Sequence, residues 1–242
     1  MLNKNTEISF YHFRKIWESK ARIPVIHCGA HTGEEAPTYF ELNMFPIYWV
    51  EALPNIIDEL RKNVYKYPLN EVVEAALWSE SGQLFDMGIS DDVYSSSLMT
   101  PMNIVKVSKG AKTAQKVTVS SKTLDELNLR FYEEGLLVLD VQGAESQVLE
   151  GSTQILANSK WVYCEVTKIE MYRGSARWSE IDTQLKSKGF RLVDWQYDRE
   201  QDWGNALYRK GRGQFLDPIR RLRRRNLHNN SWNAVEVLQQ KW

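Results

Sequence analysis

The chain has 242 residues, 43% of them hydrophobic and 26% charged, enough to bury one sizeable α/β core. Its 31 basic and 31 acidic residues cancel, so the overall balance gives no support to a nucleic-acid partner, and no apolar run reaches the length of a membrane span or a secretory core. Cys28 and Cys164 each lie inside an apolar strand-like run, which fits reduced, buried thiols in a soluble cytoplasmic protein rather than a disulfide.

Residues 6–20 carry Ile8, Phe10, Phe13 and Trp17 at roughly helical spacing and read as an opening helix. The first strand covers 23–28 and stops at Gly29. Ala30, His31, Thr32 and Gly33 then turn into a helix predicted over 34–42, where Pro37 is tolerated because it falls in the first turn. Strand two covers 47–52. Pro54 and Asn55 start a helix that sets Ile56, Leu60 and Val64 on one face. Strand three covers 71–78, after which Ser79-Glu80-Ser81-Gly82 reads as a hairpin turn into 83–87. Between Gly88 and Gly110, Asp91-Asp92 and Tyr94-Ser95-Ser96-Ser97 are too rich in turn formers for core structure and mark a candidate active-site loop.

Residues 116–120 alternate like an edge strand, and Thr123 with Glu126 forms a capping box for a helix carrying Leu124, Leu127 and Phe131. The nearly continuous aliphatic run 136–141 predicts a central parallel strand buried on both faces. A helix over 144–156, a second central strand over 161–166 and a helix from Ser179 to Gly189 follow. Residues 190–195 and 206–209 make a terminal antiparallel pair. This alternation predicts the α/β class, with a mostly parallel sheet, helices on both faces and an inserted hairpin after strand three. Past Gly213 the composition shifts to a basic run at 219–225 and a last helical segment presenting Val235, Leu238 and Trp242. The organisation is thus an N-terminal helical extension (1–22), a central domain (23–212) and a basic helical tail (213–242).

A strand that stops at a glycine, turns on small residues and opens a helix, followed by an acid at the end of the next strand, suits a nucleoside cofactor. Glu51 is that acid, placed to accept from a ribose diol. The glycines stand as G-x-x-x-G rather than the G-x-G-x-x-G that lets a pyrophosphate approach a helix N-terminus. Glu34 and Glu35 complement the helix dipole but would repel a pyrophosphate. A cationic sulfonium such as S-adenosyl-L-methionine fits better than a nicotinamide dinucleotide. The plain alternative is a structural strand-turn-helix.

Two further acids follow apolar strands, Asp140 and Glu165. On neighbouring parallel strands both emerge at the carboxyl edge where open α/β sheets bind ligands; otherwise each caps a helix or pairs with a base. Gln142-Gly143 matters by exclusion. Amino-group methylases place Asn or Asp followed by Pro-Pro-aromatic at this strand end, and the absence of that form points to a hydroxyl acceptor. In-line transfer to a hydroxyl needs alignment and removal of a weakly acidic proton. Asp140 or Glu165 is the candidate base; alternatively the two would jointly hold a divalent metal that acidifies the hydroxyl. The residues do not choose, and no metal ligand set is assigned.

The segments IHCGAHTGEE (26–35), WVEALP (49–54), YSSSL (94–98), LDVQGAESQVLEG (139–151), CEVTKIEMYRG (164–174), Gly189-Phe190 and WGNALYRK (203–210) together resemble the FkbM family of S-adenosylmethionine-dependent methyltransferases, over about residues 23–210. The resemblance implies a class I, Rossmann-like methyltransferase fold with a seven-stranded sheet, and O-methylation of hydroxyls on sugars, glycans or small metabolites. Carried over by position, Gly29, Ala30 and Gly33 match the glycine turn and Glu51 the ribose-binding acid. Asp140, Gly143 and Glu145 match the strand-four motif, and Glu165 and Tyr172 the later E-x-x-x-x-E-x-Y pattern. His27, His31 and Gln142 stand where many relatives have Asp, Asn and Glu.

The expected cofactor set is Gly29, Ala30, His31, Thr32, Gly33, Glu51, Ala52, Ala76, Leu77, Ser96 and Asp140. The expected catalytic set is Asp140, Glu165 and His31. His27 reads as a satisfied strand-end residue. Trp195, Trp203 and Asn205 either wall an acceptor site or pack the terminal strands. The 220–225 arginine cluster either meets an anion or is a solvated tail, and the tail is the candidate surface for homo-oligomerisation. The rival from another class is a catalytically silent protein of the same fold with the basic tail as its working surface.

Overall fold

The computed structural model describes residues 22–90, 97–100, 113–131, 134–198 and 202–211. The expected opening helix at 6–20, Ser96 with most of its loop, and the tail from 213 lie outside the described residues.

The chain order is β1 (Val25–Cys28), α1 (Ala36–Glu41), β2 (Ile47–Glu51), α2 (Pro54–Val64), β3 (Asn70–Glu74), β4 (Ala76–Leu77), β5 (Leu84–Ser90) and β6 (Thr113–Lys122). A single 3-10 turn, Asp125–Leu127, leads to β7 (Gly135–Leu139), α3 (Glu145–Glu150), α4 (Thr153–Asn158), β8 (Ser159–Thr167), α5 (Trp178–Ser187), β9 (Phe190–Asp198) and β10 (Trp203–Lys210). The main sheet has seven strands in the order β3-β2-β1-β7-β8-β10-β9. Its first five run parallel, and β10 lies antiparallel between β8 and β9. The strand order reverses at β1, so the carboxyl ends of β1, β2 and β7 open onto one crevice.

Every residue of β1 and β7 is buried, as expected of central parallel strands. Alternation divides their side chains. Ile26, Cys28, Leu137 and Leu139 pack toward Val148, Trp178 and Ile181, whereas Val25, Leu136 and Val138 pack toward Tyr39, Trp49 and Leu60. Emptying such a position to alanine costs about 2–5 kcal/mol.

The structure alters five expected elements. Strand three splits at Ala75: β3 stays with β2, while β4 crosses to pair in parallel with β6. The inserted antiparallel pair is therefore β5 with β6, and the turn at 79–82 joins strands that β6 separates. The Ser121 hydroxyl pins that turn, donating to Glu80 O at 2.7 Å and accepting from Gln83 N at 3.0 Å. The run read as an edge strand is the middle strand of a three-stranded sheet, because alternation reports one buried face and not the number of neighbours.

The expected helix after Thr123 is cut to one turn. Thr123 Oγ1 accepts from Glu126 N at 3.2 Å, but Asn128 turns left-handed and the Asp125 carboxylate accepts from Gln154 N and Ile155 N, capping α4 instead. The helix expected over 144–156 breaks into α3 and α4 at Gly151, where a Cβ would stand 2.5 Å from Trp78 O. Among the described residues no helix is long and apolar enough to cross a membrane.

Candidate active site

The first glycine turn is held from both neighbouring strands. Gly29 N and Ala30 N donate to Val50 O at 2.9 and 3.1 Å, and Gly29 has φ +78. A Cβ there would fall 1.7 Å from Asp140 O, so glycine is required both for the left-handed backbone and for the approach of β7. Gly33 serves packing: a Cβ would meet the tips of Leu60 and Val64 on α2. Thr32 O accepts from Asn63 Nδ2 at 2.9 Å, tying the turn to the same helix.

Glu51 closes β2 and is buried. Its Oε1 accepts from Ala52 N and Leu53 N at 2.8 and 2.9 Å, and its Oε2 accepts from His31 N at 2.8 Å. Two donors fill the ordinary capacity of Oε1, and Oε2 keeps one lone pair for a further donor. The same carboxylate thus shapes the turn and faces the cleft.

Charge at the start of α1 is smaller than two acids imply. Burial pulls the His31 imidazole down, but its 3.0 Å hydrogen bond with Glu34 and the nearby carboxylates prevail and hold it above its ordinary 6.5. Against the upward pull of burial, hydrogen bonds from His31 and Thr32 hold Glu34 at about 2. Burial raises Glu35 to about 7, with Glu34 and Asp140 adding to the shift. Glu34 is therefore compensated and Glu35 is partly protonated near neutrality. His27 faces the other side of the sheet, stacked on Trp49 at 5.5 Å and 3.2 Å from the Tyr39 hydroxyl; burial lowers it to about 4 and keeps it neutral.

At the ends of β7 and β8 two acids meet one amide, with a third acid close by. Gln142 Nε2 donates to Asp140 Oδ1 at 2.7 Å and to Glu165 Oε2 at 3.1 Å, while Gln142 Oε1 accepts from the Tyr172 hydroxyl at 2.9 Å. Burial, the Asp140 charge, a hydrogen bond to Asp140 and Glu145 all push Glu165 well above the carboxylate range. Glu145 Oε1 accepts from Val141 N and Gly143 N at 3.0 and 3.2 Å. Burial nevertheless raises its carboxyl to about 7, assisted by Asp140.

The sign of the Glu145 effect follows from these values. Folding raises it from 4.5 to about 7, so its stabilising contribution is complete below 4.5 and lost as pH rises through about 7. Glu145→Gln keeps the acceptor without the charge. The melting temperature of the variant, minus that of the parent chain, should therefore rise between about pH 5 and about pH 8. A difference that stays flat across that interval would show that Glu145 is not held protonated by the fold.

Between these two groups lies an open cleft. Of the expected residues Gly29, His31, Glu51, Ala52, Leu77 and Asp140 line it; Ala30, Thr32, Gly33, Ala76 and Glu165 are outside the lining. Val50, Leu53, Ala75, Leu77, Met87 and Leu98 supply an apolar wall. Apart from Leu77 these were missed, since a wall of aliphatic residues has the same sequence signal as core.

Ser97 and Gln142 also line the cleft. Ser97 belongs to the serine run, whereas the sequence reads Gln142 for what it excludes and as a departure from the Glu of many relatives. Trp195 packs against Trp178 at 6.0 Å, and Trp203 and Asn205 stand on β10 outside the cleft lining. Among the described residues no three His, Cys, Asp or Glu side chains converge as metal ligands.

The family described as Methyltransferase FkbM domain matches residues 27–192. The 2-O-methyltransferase NoeI of Sinorhizobium fredii is 24% identical over 180 residues, spanning 70% of this chain and 72% of that protein. Among solved structures, magnesium protoporphyrin IX methyltransferase from Synechocystis PCC 6803 with bound SAM aligns at a TM-score of 0.47 and 8% identity, covering 82% of this chain and 75% of the other. Fibrillarin of Aeropyrum pernix with natively bound S-adenosyl-L-methionine aligns at 0.46 and 13%, covering 78% and 67%.

Proposed function

Because this chain belongs to the FkbM methyltransferase family, and is thereby an S-adenosylmethionine-dependent methyltransferase, we propose that it methylates a hydroxyl group of a sugar, a glycan or a small metabolite. The observation that carries this reading is Asp140: its carboxylate lines the same cleft as Glu51, and its partner Glu165 lies outside the lining. The likeness to a 2-O-methyltransferase supports a hydroxyl acceptor.

The cleft suits the cofactor. Its apolar wall fits a flat base, the open lone pair of Glu51 Oε2 fits a ribose hydroxyl, and the absent Cβ of Gly29 lets the strand ends close on one another. S-adenosylmethionine supplies an electrophilic methyl group on a sulfonium. The chain's part is to hold the acceptor oxygen in line and to take its proton. Asp140 is the group assigned that proton. Burial and the neighbouring Asp140 push the Glu165 carboxyl well above the carboxylate range, which suits a partner rather than the base. The His31 backbone meets Glu51 and its ring leans on Glu34, so His31 shapes the turn.

Incubation with methyl-labelled S-adenosylmethionine and a panel of mono- and oligosaccharides and hydroxylated metabolites tests the reading. The expected product is a methyl ether that survives mild alkali. A labile methyl ester or an N-methyl product would overturn hydroxyl transfer.

A further inference from the structure

We propose that Gln142 is a positioning residue: its amide, anchored by Tyr172, binds the carboxyls of Asp140 and Glu165 into one pair and so sets the pH at which the pair that holds the base titrates. The proposal rests on the reading of Asp140 as the base.

Each polar group of the side chain is used. The two Nε2 hydrogens go one to each carboxyl, and Oε1 accepts from the Tyr172 hydroxyl. The reverse orientation would set the amide oxygen against both acids, so the chemistry of the partners dictates this one. A protonated Glu165 donates to Asp140 while its Oε2 accepts from Gln142. Of the three groups, Asp140 and Gln142 line the cleft.

The backbone of Gln142 is held as firmly as its head. Its φ is +52, a left-handed conformation rare for a residue with a Cβ and one that costs of order 1 kcal/mol or more unless the surroundings impose it. Ser97 Oγ donates to Gln142 O at 2.7 Å. The next residue, Gly143, has φ +99, and a Cβ there would lie 2.6 Å from the Tyr172 ring, so the ring packs directly over the turn.

Ser97 and Tyr172 come from different segments, which are themselves joined where Arg173 N donates to Thr100 O at 2.7 Å. Three stretches of chain therefore converge to fix one amide. A role in filling space or capping a turn needs none of its three polar contacts.

The titratable groups around the pair are Glu145 from α3, Cys164 from β8 and Tyr172 from the segment after β8, with His27 and Glu35 reaching Asp140 through charge from β1 and the start of α1. Cys164 is pushed up by burial and stays a thiol, and His27 stays neutral. Glu145 and Glu35 change charge near neutrality and act on parent and variants alike. A shift on changing Gln142 thus reads the pair itself.

The test follows the side-chain carboxyl resonances of the full chain, carbon-13 labelled in Asp and Glu, from acid to mild alkali, with Asp140→Asn and Glu165→Gln assigning the signals. In the parent Glu165 should resonate as the protonated acid near neutral pH. Gln142→Leu removes both donors and should move the midpoint of the pair upward by about one pH unit, roughly tenfold in proton affinity. Tyr172→Phe leaves the amide in place but unanchored and should give a smaller shift in the same direction.

Unchanged midpoints in both variants, or an ionised Glu165 in the parent near neutrality, would overturn the proposal. If Gln142→Leu does not fold, Tyr172→Phe decides alone. No acceptor takes part in this titration, so it can fail while hydroxyl methylation stands, or succeed where the labelled-product assay finds transfer to nitrogen.

Discussion

Replacing Glu51 with alanine should weaken binding of S-adenosylhomocysteine by about a hundredfold or more, whereas Asp140→Ala should weaken it far less and act chiefly on turnover. A charge-assisted hydrogen bond to a ribose hydroxyl is worth about 1.5–3 kcal/mol, roughly ten- to 150-fold in affinity. The Glu51 side chain also accepts from the backbone N–H groups of His31, Ala52 and Leu53. Its loss strands three donors beside the glycine turn.

Asp140, by contrast, is exposed, lines the cleft and accepts from Gln142. A positioned general base contributes about 10²–10⁴ in rate. Calorimetric titration of both variants with S-adenosylhomocysteine, beside turnover once an acceptor is in hand, separates the two roles. Glu51→Gln should fall between parent and Glu51→Ala, because an amide oxygen can still accept from Ala52 and Leu53. Equal losses of affinity for Glu51→Ala and Asp140→Ala would show that the roles are misassigned.

Gly29→Ala should be the most damaging single methyl group in the described fold. The added Cβ would lie 1.7 Å from Asp140 O and 2.7 Å from Asp140 C, on a backbone with φ +78. Nothing nearby yields cheaply. β1 is paired with β7 through Cys28 and Leu139 on one side and with β2 through Cys28 and Val50 on the other. Relief has to come from prising β1 off β7 at their carboxyl ends, where the cleft opens.

A loss of about 3–4 kcal/mol lowers the melting temperature of a chain this size by about 10 °C, and binding of S-adenosylhomocysteine should vanish with it. Gly33→Ala is the control. It has the same left-handed φ, but its Cβ meets only the tips of Leu60 and Val64, at 2.8 Å each, so the drop should be smaller. A Gly29→Ala protein melting within about 2 °C of the parent would mean that the β1 and β7 ends do not approach as described.

Much of the architecture was legible because it rests on local rules. Aliphatic runs at 136–141 and 161–166 became adjacent buried strands, and the terminal pair closed antiparallel as read. The errors fall where a distant residue overrides a local preference. Thr123 and Glu126 do form the first bond of a capping box, yet Asp125 turns to cap α4 and the helix ends after one turn. The run 71–78 is continuous in the sequence but divided in space: β3 pairs with β2, while Ala76 and Leu77 pair with β6.

The candidate site divides the same way. Gly29, Glu51 and Asp140 could be named from the sequence because each sits at the end of an apolar strand, a position that periodicity locates and that only small or acidic residues suit in this way. Glu165 could be named too, but not that its carboxyl is pushed well above the carboxylate range or that it lies outside the cleft lining, since that depends on burial and on Asp140 and Gln142 standing beside it. Gln142 itself gave no positive signal. An uncharged amide acquires a role only from what surrounds it, here Tyr172 thirty residues later and Ser97 forty-five residues earlier.

By itself, then, the sequence determined the strand-helix alternation, the glycine turn and the acids at the strand ends, because hydrophobic period and backbone freedom are properties of neighbouring residues. Tertiary structure alone decided which acid is pushed above the carboxylate range, which one faces the cleft and which amide joins them. Charge and hydrogen bonding in a partly buried site depend on distances between segments far apart in the chain.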